Sequence, residues 1–193
     1  VIDLKNALPI NDSEGKKGNS FDFVVTTKAS YKTGLKYTLS IEKLSVDTGY
    51  TSLSDNQIKV YLTDYNNKEL VSPTLISNLS DKLLYRKTNK HSSTNTSITD
   101  KYKLRVWVDY DVDSSSWNKD SKFSYKFKIG IKSNEVEPSV DTSGANKPVL
   151  DSGMIPVYYD ETSESWKKAD VNNAGSNWYN YDTKKWANSV TVS

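Results

Sequence analysis

The sequence contains no cysteine, which excludes disulfides, thiol nucleophiles and cysteine-based zinc or iron–sulfur sites together and leaves packing to hold the fold. It contains one histidine, His91, set in Lys90-His91-Ser92-Ser93-Thr94. Ser-His-Asp chemistry or a zinc site needs partners that a single residue in a polar loop does not supply. No catalytic residue is assigned, and a non-enzymatic protein is expected. No stretch approaches the roughly 18 apolar residues of a membrane span. Neither charge dominates: 26 Lys plus Arg stand against 24 Asp plus Glu, the net charge is +2, and the signs are interspersed. No basic stripe is offered to nucleic acid. Methionine occurs once, as Met154, and the chain opens on Val1, so it reads as a processed chain or part of a longer one.

What is present is β-forming and aromatic. The 13 Tyr, 5 Trp and 4 Phe are more than a disordered chain carries. The length suits a β-sandwich of roughly 130 to 140 residues plus a smaller appendage. Short runs of Val, Ile, Thr, Tyr and Phe alternate with polar residues and are broken by Gly, Asn, Asp and Ser, the pattern of strands. In 35–41, Leu35, Tyr37, Leu39 and Ile41 share one face of a strand. Ile58-Lys59-Val60-Tyr61-Leu62 and Asp64–Leu70 predict a hairpin turning at Asn66-Asn67. Tyr102, Leu104, Val106 and Val108 form a core face opposite Lys101, Lys103, Arg105 and Trp107, while 91–99 reads as an exposed loop. The run 123–131, apolar at every odd position, predicts a central core strand.

Residues 134–153 lose all periodicity and hold two of the five prolines, as a linker does. Beyond them, Ile155–Asp160 and Trp178–Asp182 form a near-repeat, with Tyr159-Asp160 and Tyr181-Asp182 each followed by a tryptophan, Trp166 or Trp186. Two hairpins are expected. The predicted architecture is all-β: a jelly-roll-type β-sandwich over 1–133, a linker over 134–153 and a small two-hairpin module over 154–193.

Three groups carry functional expectations. Val1, Ile2, Leu4, Leu8 and Ile10 form an apolar extended segment before a polar stretch, 11–20, that reads as a tether. Such a segment can be donated to an open sheet edge of another molecule, or it can pair in its own sandwich. Trp166, Trp178, Tyr179, Tyr181 and Trp186 can stack on sugar rings, or form the core of a sheet too small to have another. Asp109, Asp111, Asp113 and Asp120 match four carboxylate positions of a calcium loop. Ser114 stands where the loop's glycine belongs, and a solvated acidic turn is the alternative. No other cofactor is indicated.

Ala7-Leu8-Pro9-Ile10-Asn11-Asp12-Ser13-Glu14-Gly15, Phe21-Asp22-Phe23-Val24-Val25, Tyr102–Asp109 and Phe123–Ile131 together resemble the TasA/camelysin-like secreted β-sandwich proteins of Firmicutes. The resemblance covers about residues 1 to 133. The tail, Met154–Asp160 with Trp178–Asp182, resembles a small module of large Firmicute surface proteins. These resemblances imply a secreted, cell-surface protein of a Gram-positive bacterium, a structural subunit of an extracellular filament, biofilm matrix or adhesin. They also imply a homopolymer in which one copy's N-terminal strand completes its neighbour's sheet. Other surface-protein domains or glycans are further candidate partners. The peptidase label attached to camelysin does not carry over, because the chain has no His-Glu-x-x-His.

Overall fold

The computed structural model describes residues 1–30, 33–135, 153–170, 172–173 and 177–187. The fold is all-β and sandwich-like, with curled antiparallel sheets. Its strands are β1 (Ile2–Lys5), β2 (Phe21–Ala29), β3 (Thr33–Leu44), β4 (Thr51–Ser52), β5 (Ile58–Asp64), β6 (Glu69–Leu75) and β7 (Leu83–His91). They continue with β8 (Thr96–Val108), β9 (Phe123–Glu135), β10 (Met154–Asp160), β11 (Ser165–Lys168), β12 (Asn177–Asn180) and β13 (Lys185–Ala187), and one helical turn, α1, spans Asp12–Gly15. Among the described residues no helix is long and apolar enough to cross a membrane.

Three sheets result. One has the order β1-β9-β3-β7, with β4 also paired to β9; the second is β2-β8-β5-β6; the third is β11-β10-β12-β13. By contact density the chain divides into two compact units, Val1–Val25 with Thr38–Arg86 and Thr99–Lys132, and Thr26–Tyr37 with Lys87–Ile98 and Ser133–Ser193. The second unit therefore takes in 26–37 and 87–98, which strand pattern alone assigns to the sandwich. The expected linker begins two residues inside β9, and 136–152 lie outside the described residues.

The alternation read in the sequence becomes burial. Tyr37, Leu39 and Ile41 of β3, Ile58, Val60 and Leu62 of β5, Tyr102, Leu104 and Val108 of β8, and Tyr125 and Phe127 of β9 are all buried, as strands with one face toward a core require. The β5–β6 hairpin turns at Asn66-Asn67, where Asn67 takes φ 64° and Asp64 Oδ1 accepts the N–H groups of Asn66 and Lys68 at 2.8 and 2.9 Å. This is the local Asx geometry that makes Asn and Asp turn formers.

Two expectations fail, the first because a distant segment covers a surface and the second because two strands run further than their sequence pattern showed. Trp107 lies on the face of β8 read as polar, yet it is buried. The ring is covered by α1: Gly15 is buried against the indole, and a Cβ added there would overlap the ring. The stretch 11–20, read as a loose tether, is thereby a fitted cover. Asn11 caps α1 by accepting the Glu14 N–H at 2.9 Å, Lys59 holds Asp12 at 3.0 Å, and Arg105 Nε donates to the Gly18 carbonyl at 3.0 Å. The second failure is 91–99. β7 runs to His91 and β8 starts at Thr96, so only 92–95 connect them.

Helix propensity alone favours Ala over Gly at position 15 by about 1 kcal/mol, so the indole contact sets the sign of a substitution there. Gly15→Ala is expected to destabilise the protein by about 1–3 kcal/mol, through overpacking, in urea unfolding. An unchanged or raised midpoint would show that α1 does not rest on Trp107.

Candidate functional site

The N-terminal strand is the element on which the functional expectation turns, and the structure pairs it within its own sheet. β1 adds antiparallel to β9, with Ile2 opposite Phe127, Asp3 opposite Lys126, Leu4 opposite Tyr125 and Lys5 opposite Ser124. Ser124 is also opposite Ser52 of β4, so the start of β9 is enclosed on both edges. β1 is the edge strand of its sheet, and its ladder is short. After Lys5 the chain leaves the sheet at Asn6, φ 51°, and next pairs at Ile10, which makes an isolated bridge to Asp109, just past the end of β8 in the second sheet. Of the five residues singled out in the sequence, Val1 is 72% exposed and Leu8 66% exposed, while Ile2, Leu4 and Ile10 are half-buried.

Charge fastens this strand down. Lys5 Nζ sits 2.7 Å from Asp47, and Lys126 Nζ reaches the same carboxylate at 3.0 Å. Lys5 also lies over the Tyr50 ring, 5.0 Å from its centre. The hydrogen bond from Lys5, and then that from Lys126, lower the Asp47 pKa to about 2. Inside the sheet Ser124 Oγ donates to Asp3 at 2.5 Å. Behind it, the Tyr125 hydroxyl donates to Asp55 at 2.7 Å, and Lys82 pairs with that carboxylate at 2.6 Å.

The aromatic residues of the tail divide differently from the stacking surface the sequence allowed. Trp166 is 1% exposed and Tyr179 is buried; with Val157 they form the core of the small sheet, and Tyr159 and Tyr181 pack on it. Trp178 is half-buried on β12, and Trp186 lies on β13 opposite Tyr179. Trp166 and Tyr179 thus serve the sheet's interior, as a sheet of this size requires.

The repeat also takes another register. Tyr159 is opposite Trp166 and Tyr179 is opposite Trp186, so Tyr179-Asn180, and not Tyr181-Asp182, corresponds to Tyr159-Asp160. Each turn has the same build. Asp160 Oδ1 accepts the Thr162 N–H at 2.9 Å and Asn180 Oδ1 the Asp182 N–H at 2.9 Å, and the turns end on Glu164 and Lys184 with φ 50° and 57°.

The four aspartates proposed from the sequence are separated in role. Asp109 is buried and lies 3.4 Å from Lys59. Asp113 accepts the Ser115 N–H at 2.9 Å, a bond that lowers its pKa. Asp109, Asp111 and Asp113 line one open cleft with Ser54, Asn56 and Gln57, and Asp120 is not among its lining residues. Among the described residues no three His, Cys, Asp or Glu side chains are grouped to hold a metal ion.

His91, expected in an exposed loop, is 1% exposed. Thr96 Oγ1 donates to the Ser93 carbonyl at 3.2 Å, so it accepts from His91 Nδ1 at 2.8 Å. Asn89 Nδ2 donates to Thr27 Oγ1 at 3.0 Å, which leaves the Thr27 hydroxyl proton for His91 Nε2, also at 3.0 Å. The chain of donors therefore assigns a neutral imidazole carrying its proton on Nδ1. Burial lowers its pKa from 6.5, since a charged ring loses hydration there. The arrangement is a closed structural network, with neither ring nitrogen left for catalysis.

No family model, curated protein or solved structure matches the chain.

With the folded pKa of His91 below the unfolded one, the unfolded chain takes up the proton first. The contribution is complete above about pH 6.5 and is lost as the pH falls below it. The urea midpoint is therefore expected to fall between about pH 7.5 and pH 5.5, and His91→Gln to remove that part of the slope. Equal slopes in the two proteins would count against the neutral buried ring.

Proposed function

We propose that this protein is a non-enzymatic structural module of the bacterial cell exterior, a subunit or domain of a filament, matrix fibre or adhesin, that joins its neighbours by exchanging β1. The observation that carries the reading is that β1 is an edge strand held by four residue pairs on a strand whose Tyr125 and Phe127 are wholly buried. Removing β1 opens a row of backbone donors and acceptors on β9, and the identical segment of a second copy can close that row with the same pairs. The interactions are conserved in the exchange, so its equilibrium depends on concentration and on the hinge.

The hinge follows from the clasp around α1. Because Asn11 to Gly18 are fitted to Trp107, Lys59 and Arg105, the mobile part of an exchange is 1–9, with residues 6–9 as the connection. Four extended residues span about 13 Å, which favours a neighbour whose β9 edge lies close by. With no cysteine the protein is stabilised by the packing of its alternating strands. The burial of Trp166 and Tyr179 weighs against a sugar platform on the tail, the other function considered from the sequence.

A cross-link provides the test, and the chain has no native cysteine to confuse it. Asp3 and Lys126 face each other in the ladder, so Asp3→Cys with Lys126→Cys can lock β1 at home. The wild-type chain, concentrated and examined by light scattering and negative-stain microscopy, is expected to form oligomers or filaments; the oxidised double variant stays monomeric and recovers assembly on reduction. A wild-type chain that remains a folded monomer, or a locked variant that assembles equally well, refutes strand exchange.

A further inference from the structure

The connection from β8 to β9 carries an aromatic pair that neither the sandwich core nor the strand clasp uses. Trp117 and Phe123 stack with ring centres 4.7 Å apart and planes 29° from parallel. They line an open cleft of about 420 Å³ together with Asn6, Leu8, Lys119 and Lys122 among others, within the roughly 300–1,000 Å³ of small-ligand sites. Trp117 and Phe123 are both partly exposed, and Asn6, Leu8, Lys119 and Lys122 are exposed.

The connection is set by its own hydrogen bonds. Trp117 N donates to the Ser114 carbonyl at 3.0 Å, Asn118 N to Ser121 Oγ at 2.9 Å, and Asp120 N to Asn118 Oδ1 at 2.8 Å. The indole is therefore presented from an ordered turn, so little ordering cost is left for binding.

The lining combines three chemistries. Two stacked rings give a flat apolar face, side-chain amides and hydroxyls give donors and acceptors, and Lys119 and Lys122 give two ammonium groups. Neither lysine is held in an ion pair among the described residues, although Lys122 Nζ lies over the Tyr50 ring, 6.0 Å from its centre, and no carboxylate is among the residues lining the cleft. The geometry points to a binding site for an acidic saccharide, a pyranose bearing a carboxylate. One face of the ring packs on Trp117, its hydroxyls are met by the Asn6 and Asn118 amides, and its carboxylate is met by Lys119 and Lys122. A neutral sugar leaves both ammonium groups unused, and a peptide carboxylate leaves the aromatic face unused. The site lies on different residues from the tail aromatics, and Trp117, Phe123, Lys119 and Lys122 stand outside the exchanged segment 1–9, to which Asn6 and Leu8 of the lining belong.

The test is isothermal titration of the full chain with tetragalacturonate, its methyl ester and hexaglutamate. Tetragalacturonate is expected to bind and the other two to bind at least about tenfold more weakly. Trp117→Ala is expected to cost about tenfold or more in affinity for tetragalacturonate. Lys119→Gln with Lys122→Gln is expected to bring acid and ester to equal affinity. The lysine pair is exposed and its replacement leaves the core intact, so this arm decides the matter even if Trp117→Ala does not fold by circular dichroism. Absence of binding by tetragalacturonate, equal binding of hexaglutamate, or an unchanged acid preference in the lysine variant overturns the proposal.

Discussion

Backbone pairing along β9 is the constraint from which the rest of the sandwich follows. A strand carrying Tyr125 and Phe127 at full burial cannot leave its N–H and C=O groups open, because an unpaired buried backbone group costs as much as a lost hydrogen bond. β3 satisfies one edge and β4 continues on that side, while the N-terminal segment satisfies the other. The segment β1 is thus a structural component of the sheet, held by a ladder of four residue pairs.

The neighbourhood of that strand shows how a chain without disulfides holds its segments in register. α1 fits against Trp107 through the one residue type that leaves room for the ring, Gly15, and ion pairs of Lys59 with Asp12 and Asp109 hold it in place. Asp47 gathers Lys5 and Lys126 where β1 lies on β9. These pairs are solvent-exposed to different degrees and individually weak. Together they set register and restrict where the chain can hinge.

Elsewhere a set of buried polar side chains is satisfied in sequence, donor to acceptor, in the run from Asn89 through Thr27 and His91 to Thr96. The small sheet builds its interior from rings. Trp166 and Tyr179 fill an interior that its few aliphatic residues could not, and the paired Asx turns repeat one local solution twice.

Strand identity, the Asn66-Asn67 turn and the all-β class were legible in the sequence, because each depends on residues near one another: side-chain alternation has a period of two, and Asx turns close over three or four residues. What covers a strand does not. Trp107 stands among Arg105, Lys103 and Lys101 and reads as surface until Gly15 is folded onto it, and His91 sits among serines, threonines and lysines until Thr27 is brought to its ring. The register of the tail repeat was hidden for a related reason, since Tyr179 and Tyr181 are equivalent as letters and differ only in which one pairs with Trp186. The sequence by itself determined which segments are strands and where local turns close, through short-range sterics and alternation. The tertiary structure alone decided which faces are interior and which edge β1 occupies, because burial and strand pairing are made by residues far apart along the chain.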